Sequence, residues 1–325
     1  MQDTQPQIEV LLATFDGERF LTAQVDSLLA QTYSQVHIVA RDDGSSDGTQ
    51  EILRRYAEAY PERFHVAVHS GTPSGGAKHN FARLMQQARA DYIAFSDQDD
   101  VWLPEKLEQS MAAMAKLEAA HGSTIPLLVF TDAQIVNEAL HPLYSSLWQQ
   151  QGIDPERVHT LRFLLPQNVV TGCTVLCNRA LLDLARDMPA GAFMHDRWMA
   201  LVACIFGHVA AVHQPTVLYR QHSSNTVGAG ARRRFALPRF WNSKRRSDQW
   251  HVTEQQADAL LRHFGTSLPA KSHEVLEQFM AIRTHRFGLR RTAAMMRGGF
   301  FTTGLRSNAD MLWYLLTPQS RKGAA

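Results

Sequence analysis

The sequence predicts an α/β protein: a mostly parallel sheet flanked by helices, Rossmann-like in layout, with a basic, mainly helical extension at its C-terminal end. Three observations carry this. Strand-like and helix-like patterns alternate from Ile8 to Asp132, acidic residues recur where the strands should end, and the charge balance reverses near residue 230. Alternation of this kind builds parallel sheets covered by helices.

Each element has its own signal. "IEVLLAT" (8–14) is a short apolar strand, and "FLTAQVDSLLAQ" carries Phe20, Val25, Leu28 and Leu29 at helical spacing. "VHIVARD" (36–42) is a second strand. "DGTQEILRRYAEAY" is a helix with Asp47 or Thr49 as its cap and Pro61 as its stop. "FHVAVH" is a third strand, "NFARLMQQA" a third helix and "DYIAFS" a fourth strand. "LPEKLEQSMAAMAKLEAA" is a fourth helix with Pro104 in its first turn and Gly122 just past its end. "LLVFTD" is a fifth strand. Beyond it, "NVVTGCTVLC" (168–177) reads as a strand, "ALLDLARDM" and "HDRWMALVACIFG" as helices, and "HVAAVHQPTVLYRQH" as two short strands. These patterns place one domain at 1–230 and the extension at 231–325.

Composition narrows the class. Of 325 residues, 45% are hydrophobic and 20% charged, which is ordinary for a globular protein. The most apolar run, Met199–Val212, is too short for a spanning helix, which needs about 20 residues, and reads as a core helix followed by a strand. "MQDTQPQ" has no basic and apolar regions of a signal peptide. Cys173, Cys177 and Cys204 lack the second Cys/His pair of a zinc site and read as reduced thiols, so a cytoplasmic location is expected. Residues 1–225 hold 16 Lys and Arg against 25 Asp and Glu; residues 226–325 hold 17 against 6. A tail of net charge +11 on a body of −9 expects an anionic surface, or the body itself, as partner.

Open parallel sheets bind ligands at the carboxyl ends of their strands. Those ends read Thr14-Phe15-Asp16, Asp42-Asp43-Gly44, Asp97-Gln98-Asp99-Asp100 and Thr131-Asp132. An anionic ligand at such an edge needs a bridging cation. With oxygen ligands and no clustered Cys or His, that cation is Mg²⁺ or Mn²⁺. "SDQDD" is the candidate site; an acidic turn capping the next helix explains Asp100 but not three acids together. Gly44–Gly48 spells G-x-S-x-G, the pattern of a hydrolase nucleophile elbow at Ser46, yet no oxyanion segment accompanies it. A Gly/Ser/Asp turn is the plainer reading, and Asp42 or Asp43 could accept a nucleobase N–H. In "MHDRW", Asp196 is either a helix N-terminal acid or a general base. In "YRQHSSN", His222 could ligate metal or contact phosphate, and Arg220 could pair with phosphate.

The order of these segments resembles the family 2 glycosyltransferases of GT-A fold, in their bacterial rhamnosyltransferase-like branch. The matching segments are "LLATFDGERFLTAQVDSLLAQTY", "DDGSSDGT", Asn80-Phe81, "YIAFSDQDDVW", "NVVTGCTVLCNRALL", "HDRWMALVA" and "LYRQHSSNTVGA", covering roughly 8–230. The resemblance implies inverting transfer of a sugar, rhamnose favoured, from a dTDP- or UDP-linked donor to a hydroxyl of a saccharide or lipid-linked acceptor in cell-surface polysaccharide synthesis. It implies nucleotide contacts at Thr14, Asp16, Glu18, Asp42, Asp43, Asn80 and Asp97. It places the metal at Asp97, Asp99 and His222, with Asp99 the direct ligand, and the catalytic base at Asp196. Sugar contacts fall at Asn168, Thr171, Gly172, Trp102, His195 and Arg220. His195 stands where many members have Glu and is common in the rhamnosyltransferase-like branch.

Two other classes use the same acidic edge: a nucleotidyl- or phosphotransferase, and a non-catalytic sugar-nucleotide binder. "RRRFALPRFWNSKRR" (232–246) mixes basic and aromatic residues, which suits an anionic membrane surface. No nucleic-acid motif accompanies it, so nucleic acid is not expected as a partner.

Overall fold

A computed structural model describes residues 5–67, 73–222, 243–285, 287–303 and 305–316. Its first half follows the predicted alternation: β1 (Ile8–Thr14), α1 (Glu18–Leu29), β2 (Val36–Asp42), α2 (Thr49–Ala59), β3 (Phe64–Val66), α3 (Ala77–Gln87) and β4 (Tyr92–Ser96). The two-residue β5 (Val101–Trp102) precedes α4 (Lys106–His121), β6 (Leu127–Val136), β7 (Pro142–Tyr144), α5 (Leu147–Gln151) and α6 (Leu161–Leu164). Then come β8 (Val175–Asn178), α7 (Arg179–Ala185), α8 (His195–Phe206) and β9 (His208–Arg220), and finally α9 (Ser243–Phe264), α10 (Ala270–Thr284), α11 (Gly288–Gly298) and α12 (Leu305–Leu316).

One sheet runs β3-β2-β1-β4-β8-β6-β9-β5, with β7 on β6. The pairs β2–β3, β1–β2, β1–β4 and β6–β9 are parallel; β8 is antiparallel to both β4 and β6. This reversal matters for the site. The beginning of β8, not its end, lies beside the carboxyl end of β4, with Leu176 opposite Ala94. The turn Gly172–Thr174 is thereby delivered to the acidic edge. Likewise β5 pairs antiparallel with the end of β9, Val101 opposite Leu218, which draws the Asp99-Asp100 loop to Arg220. Ile8, Val10 and Leu12 of β1, Ile38 of β2, and Leu21, Val25 and Leu28 of α1 lie in one fully buried apolar cluster. The period-2 and period-3.6 stripes of the sequence meet there.

Three expectations are corrected. The apolar run 168–177 is a strand only from Val175, because a 3₁₀ turn at Gly172–Thr174 interrupts it. Residues 208–220 form one strand rather than two. Pro215 cannot donate to a ladder, and the strand absorbs it where the β6–β9 register slips, opposite Asp132. Asp132 itself is inside β6 rather than at its end. It is buried and accepts from the Ala133 N–H (2.8 Å), the Trp148 N–H (3.1 Å) and the Ser146 hydroxyl, so it caps α5.

The chain divides into two compact units. The first comprises Met1–Gln151, Val170–Met188 and Met194–Ala229; the second comprises Gly152–Val169, Pro189–Phe193 and Gly230–Ala325. Two short excursions, 152–169 and 189–193, thus group with the C-terminal helices. Within the second unit, Phe279 lies 5.1 Å from both Trp250, tilted, and Phe300, edge to face. The Arg162 side chain donates to Gln278 Oε1 (2.7 Å) and to the Gly298 carbonyl. The basic stretch 232–246 lies outside the described residues, apart from the backbone of 243–246 that opens α9.

Candidate active site

The carboxyl ends of β1 and β2 are stitched together by side chains. Asp42 accepts from the Thr14 hydroxyl (3.0 Å), the Ser45 hydroxyl (2.5 Å), the Gly44 and Ser45 N–H groups (3.1 and 2.9 Å) and Gln50 Nε2 (3.1 Å). Five donors fill the roughly four lone-pair sites of a carboxylate, so none remains for a base. Asp43 accepts from the Ser74 and Gly76 N–H groups (2.5 and 3.0 Å) and from Arg41 Nη1 (3.2 Å). Burial alone would raise its pKa, but these bonds outweigh burial and hold it below the ordinary carboxylate range. Asn80 closes the set, accepting from Arg41 (2.8 Å) and donating to the Arg41 carbonyl (3.0 Å).

The outer loop is exposed. Asp16 sits at φ 44°, a left-handed conformation uncommon outside glycine, and accepts from the Ser46 N–H (2.8 Å). Glu18 accepts from the Gly48 N–H (3.0 Å), while Asp47 accepts from the Glu18 and Thr49 N–H groups (3.0 Å each). Ser46 is thus a turn residue. The Phe15 ring is 55% exposed, and its backbone is held by the Gln98 side-chain amide: N–H to Oε1 (2.7 Å), Nε2 to O (2.8 Å). Neither Phe15 nor Gln98 was singled out from sequence. An aromatic residue at a strand's carboxyl end, next to the ligand edge, was the signal available.

The acidic loop after β4 gathers several charges. Asp99 Oδ2 lies 2.7 Å from His222 Nε2, across 123 positions of chain. Phe20 backs the imidazole at 4.9 Å. Asp97 has its pKa pushed up to about 7 by burial, by Asp99 and by Asp196. Asp100 is fully buried and is driven well above the carboxylate range by burial, Asp99 and Asp97; its Oδ1 accepts the Arg220 N–H (3.0 Å). Asp97, Asp100 and Cys173 could also converge on one ion, with ligand atoms within 4.8 Å. Burial and the two acids push the Cys173 thiol up, however, and a protonated thiol is a poor ligand for a hard cation. Beside that group Asp99 pairs with His222, adding a carboxylate and an imidazole, and Asp97 is a carboxyl destabilised by its anionic neighbours. A divalent cation fits these residues, since it would relieve that repulsion.

Asp196 lies in the first turn of α8, with Oδ1 accepting the Arg197 N–H (2.6 Å). His195 beside it is buried between Phe81 (3.9 Å) and Phe95 (4.9 Å), and burial pushes its pKa down to about 3. It is a neutral imidazole at any working pH. Gly172 presses on it: a Cβ there would fall 2.7 Å from His195 Nε2. Because the two phenyl rings confine the imidazole, Gly172→Ala should cost about 1–3 kcal/mol, read as a shift of the denaturant midpoint. Gly172→Ser should cost at least as much.

The structure brings together Thr14, Asp16, Glu18, Asp42, Asp43 and Asn80 at one corner, and Asp97, Asp99 and His222 at another. Thr171 and Gly172 lie at the start of the β8 segment, beside His195. Asn168 belongs to the second unit. Two expected sugar contacts are withdrawn on geometry. Trp102 is buried, its ring covered by Lys106 Nζ at 3.9 Å, which leaves no face for a sugar. Arg220 is a brace: its guanidinium donates to the Asp99 carbonyl (2.6 Å) and the Glu138 carbonyl and lies 4.6 Å over Phe20.

A GT-A sheet with an Asp-x-Asp loop at its switch point and an acid at a helix start is the layout of a glycosyltransferase. Residues 9–173 match the model of glycosyl transferase family 2, about half of the chain, and the chain belongs to that family. It is 28% identical over 229 residues to the dTDP-rhamnosyl transferase RfbG of Shigella flexneri, covering 67% of this chain and 74% of that one. It is also 28% identical over 141 residues to the putative teichuronic acid biosynthesis glycosyltransferase TuaG of Bacillus subtilis, covering 43% and 55%. Among solved structures, S. aureus TarS 1–349 in complex with UDP-GlcNAc matches with a TM-score of 0.56 at 17% identity, over 95% of this chain and 89% of that one. That likeness supports the fold.

Proposed function

We propose that this chain is an inverting, metal-assisted glycosyltransferase. It moves a sugar, rhamnose favoured, from a dTDP- or UDP-linked donor to a hydroxyl of a saccharide or lipid-linked acceptor in cell-surface polysaccharide synthesis. The observation that carries this is the pairing of Asp99 with His222 at 2.7 Å, with Asp97 and Asp196 electrostatically coupled beside it. The dTDP-rhamnosyl transferase relative supports rhamnose and dTDP, and the UDP-GlcNAc complex of TarS supports a nucleoside diphosphate sugar more broadly.

In this reading the exposed Phe15 ring stacks on the base, and Asp43, held as a carboxylate by its backbone donors, accepts a base N–H. Asp97, Asp99 and His222 would hold Mg²⁺ or Mn²⁺, which would supply positive charge for the leaving diphosphate. Asp196 takes the acceptor hydroxyl proton as that oxygen attacks the anomeric carbon opposite the leaving group. The oxocarbenium-like transition state needs no enzyme nucleophile. Burial pushes the Cys173 and Cys177 thiols up, out of the range of a nucleophilic thiolate. The catalytic part is residues 1–230, with 231–325 as an extension. We place the protein in the cytoplasm, peripheral on the inner face of the cell membrane. Among the described residues no helix is long and apolar enough to cross a membrane.

The test is incubation with Mn²⁺ or Mg²⁺, dTDP-rhamnose or UDP-sugars, and candidate acceptors. Nucleoside diphosphate release is the expected result. Pyrophosphate release would identify a nucleotidyltransferase instead, and tight binding without turnover a sugar-nucleotide binder.

A further inference from the structure

We infer that the outward face of α11 and the end of α12 form a docking surface for an anionic lipid bilayer. It is distinct from the 232–246 stretch and deepens the membrane part of the reading above. Leu289 and Met296 are seven residues apart, so they lie on one helix face; Arg290 and Arg297 make a second stripe beside them. All four are exposed. Leu289 is 76% exposed, Phe287 60% and Trp313 50%. The helix therefore turns Met295 inward and leaves an apolar stripe in water.

The patch is continuous across the two helices. A Cβ on Gly288 would fall 2.5 Å from the Leu316 carbonyl, so the start of α11 rests on the end of α12. Phe287 and Leu289 flank that contact, and exposed Leu316 and Trp313 stand one turn apart beside it. The Arg290 guanidinium lies 5.8 Å over the Phe287 ring, keeping a cation at the apolar rim. Residues 278–325 hold eight Arg and Lys against the single Asp310.

Charge selects the occupant. An apolar stripe edged by arginines and carrying a tryptophan suits the level of lipid headgroups, where rings and leucines enter the acyl boundary and guanidinium groups reach phosphates. A second copy is a poorer fit, since a two-fold interface on this face would set one cluster of arginines against its duplicate.

The test uses the full chain and vesicles of phosphatidylcholine alone or mixed with phosphatidylglycerol, without donor or acceptor. The parent should float with the mixed vesicles at low salt and not with phosphatidylcholine alone. Leu289→Glu combined with Trp313→Ser should weaken flotation roughly tenfold or more, as should Arg290→Ala with Arg297→Ala. Midpoints of unfolding and turnover of a soluble acceptor should be unchanged in both variants. Equal flotation of parent and variants, no flotation of the parent, or equal binding to both vesicle types would overturn the proposal. So would a dimer that Leu289→Glu abolishes in a parent that ignores vesicles, or flotation lost only on changing Arg232–Arg234. Flotation is read without the reaction, so failure of the transferase reading and failure of this one are separate results.

Discussion

Asp196→Asn is expected to bind donor as the parent does and to transfer sugar about 10²–10⁴-fold more slowly, the usual worth of a positioned general base. The substitution keeps the shape and the hydrogen bond to the Arg197 N–H (2.6 Å) and removes the basicity. It also removes a negative charge that helps raise Asp97. Donor affinity in the presence of Mn²⁺ should therefore be equal or slightly changed, with kcat carrying the loss. Calorimetric titration with nucleoside diphosphate, together with single-turnover transfer, measures both. Near-normal transfer by this variant would take the base role away from Asp196.

Asp99→Asn should show the second large effect. Its carboxylate is paired with His222 at 2.7 Å, and replacing it leaves the imidazole facing an amide. Transfer should fall roughly 10²–10³-fold, the scale of losing one preorganised charge-stabilising contact. The rise in melting temperature that Mn²⁺ gives the parent should shrink or vanish. In the parent, saturating cation at about 100 times its dissociation constant adds about 2.7 kcal/mol. The pH dependence has a defined sign. With Asp97 raised to about 7, the folded site keeps a proton that the unfolded chain has already released. Without cation, stability therefore declines as pH rises from the ordinary carboxylate range to about 7. Below about 7 a cation must displace that proton. The Mn²⁺-induced shift should thus be larger at about pH 8 than at about pH 6. An Asp99→Asn variant that still responds fully to Mn²⁺ would move the cation to other ligands.

Much of the first half was legible because its signals are local. β1, β2 and β4 are short apolar runs ended by acids, and their helices carry apolar stripes at regular spacing. The misread elements all depended on partners far along the chain. The run 168–177 looks uniformly apolar, yet its first residues turn, because Gly172 must leave room for His195. Asp132 looked like a strand end because the chain turns polar there, but a register slip opposite Pro215 lets β6 continue. Trp102 looked available because it follows the acidic loop; only β5–β9 pairing and the cover of Lys106 put it inside.

The sequence by itself determined the alternating α/β order, the acidic ligand edge, the family resemblance and the basic tail, since these reside in residue type and near-neighbour spacing. Tertiary structure decided which acids are occupied. Asp42 and Asp43 are neighbours in sequence, but Asp42 spends its oxygens on its own turn and Asp43 on the approach to α3. Asp99 met His222 only because β5 and β9 pair, and a side-chain contact across 123 positions of chain is not written in any local pattern.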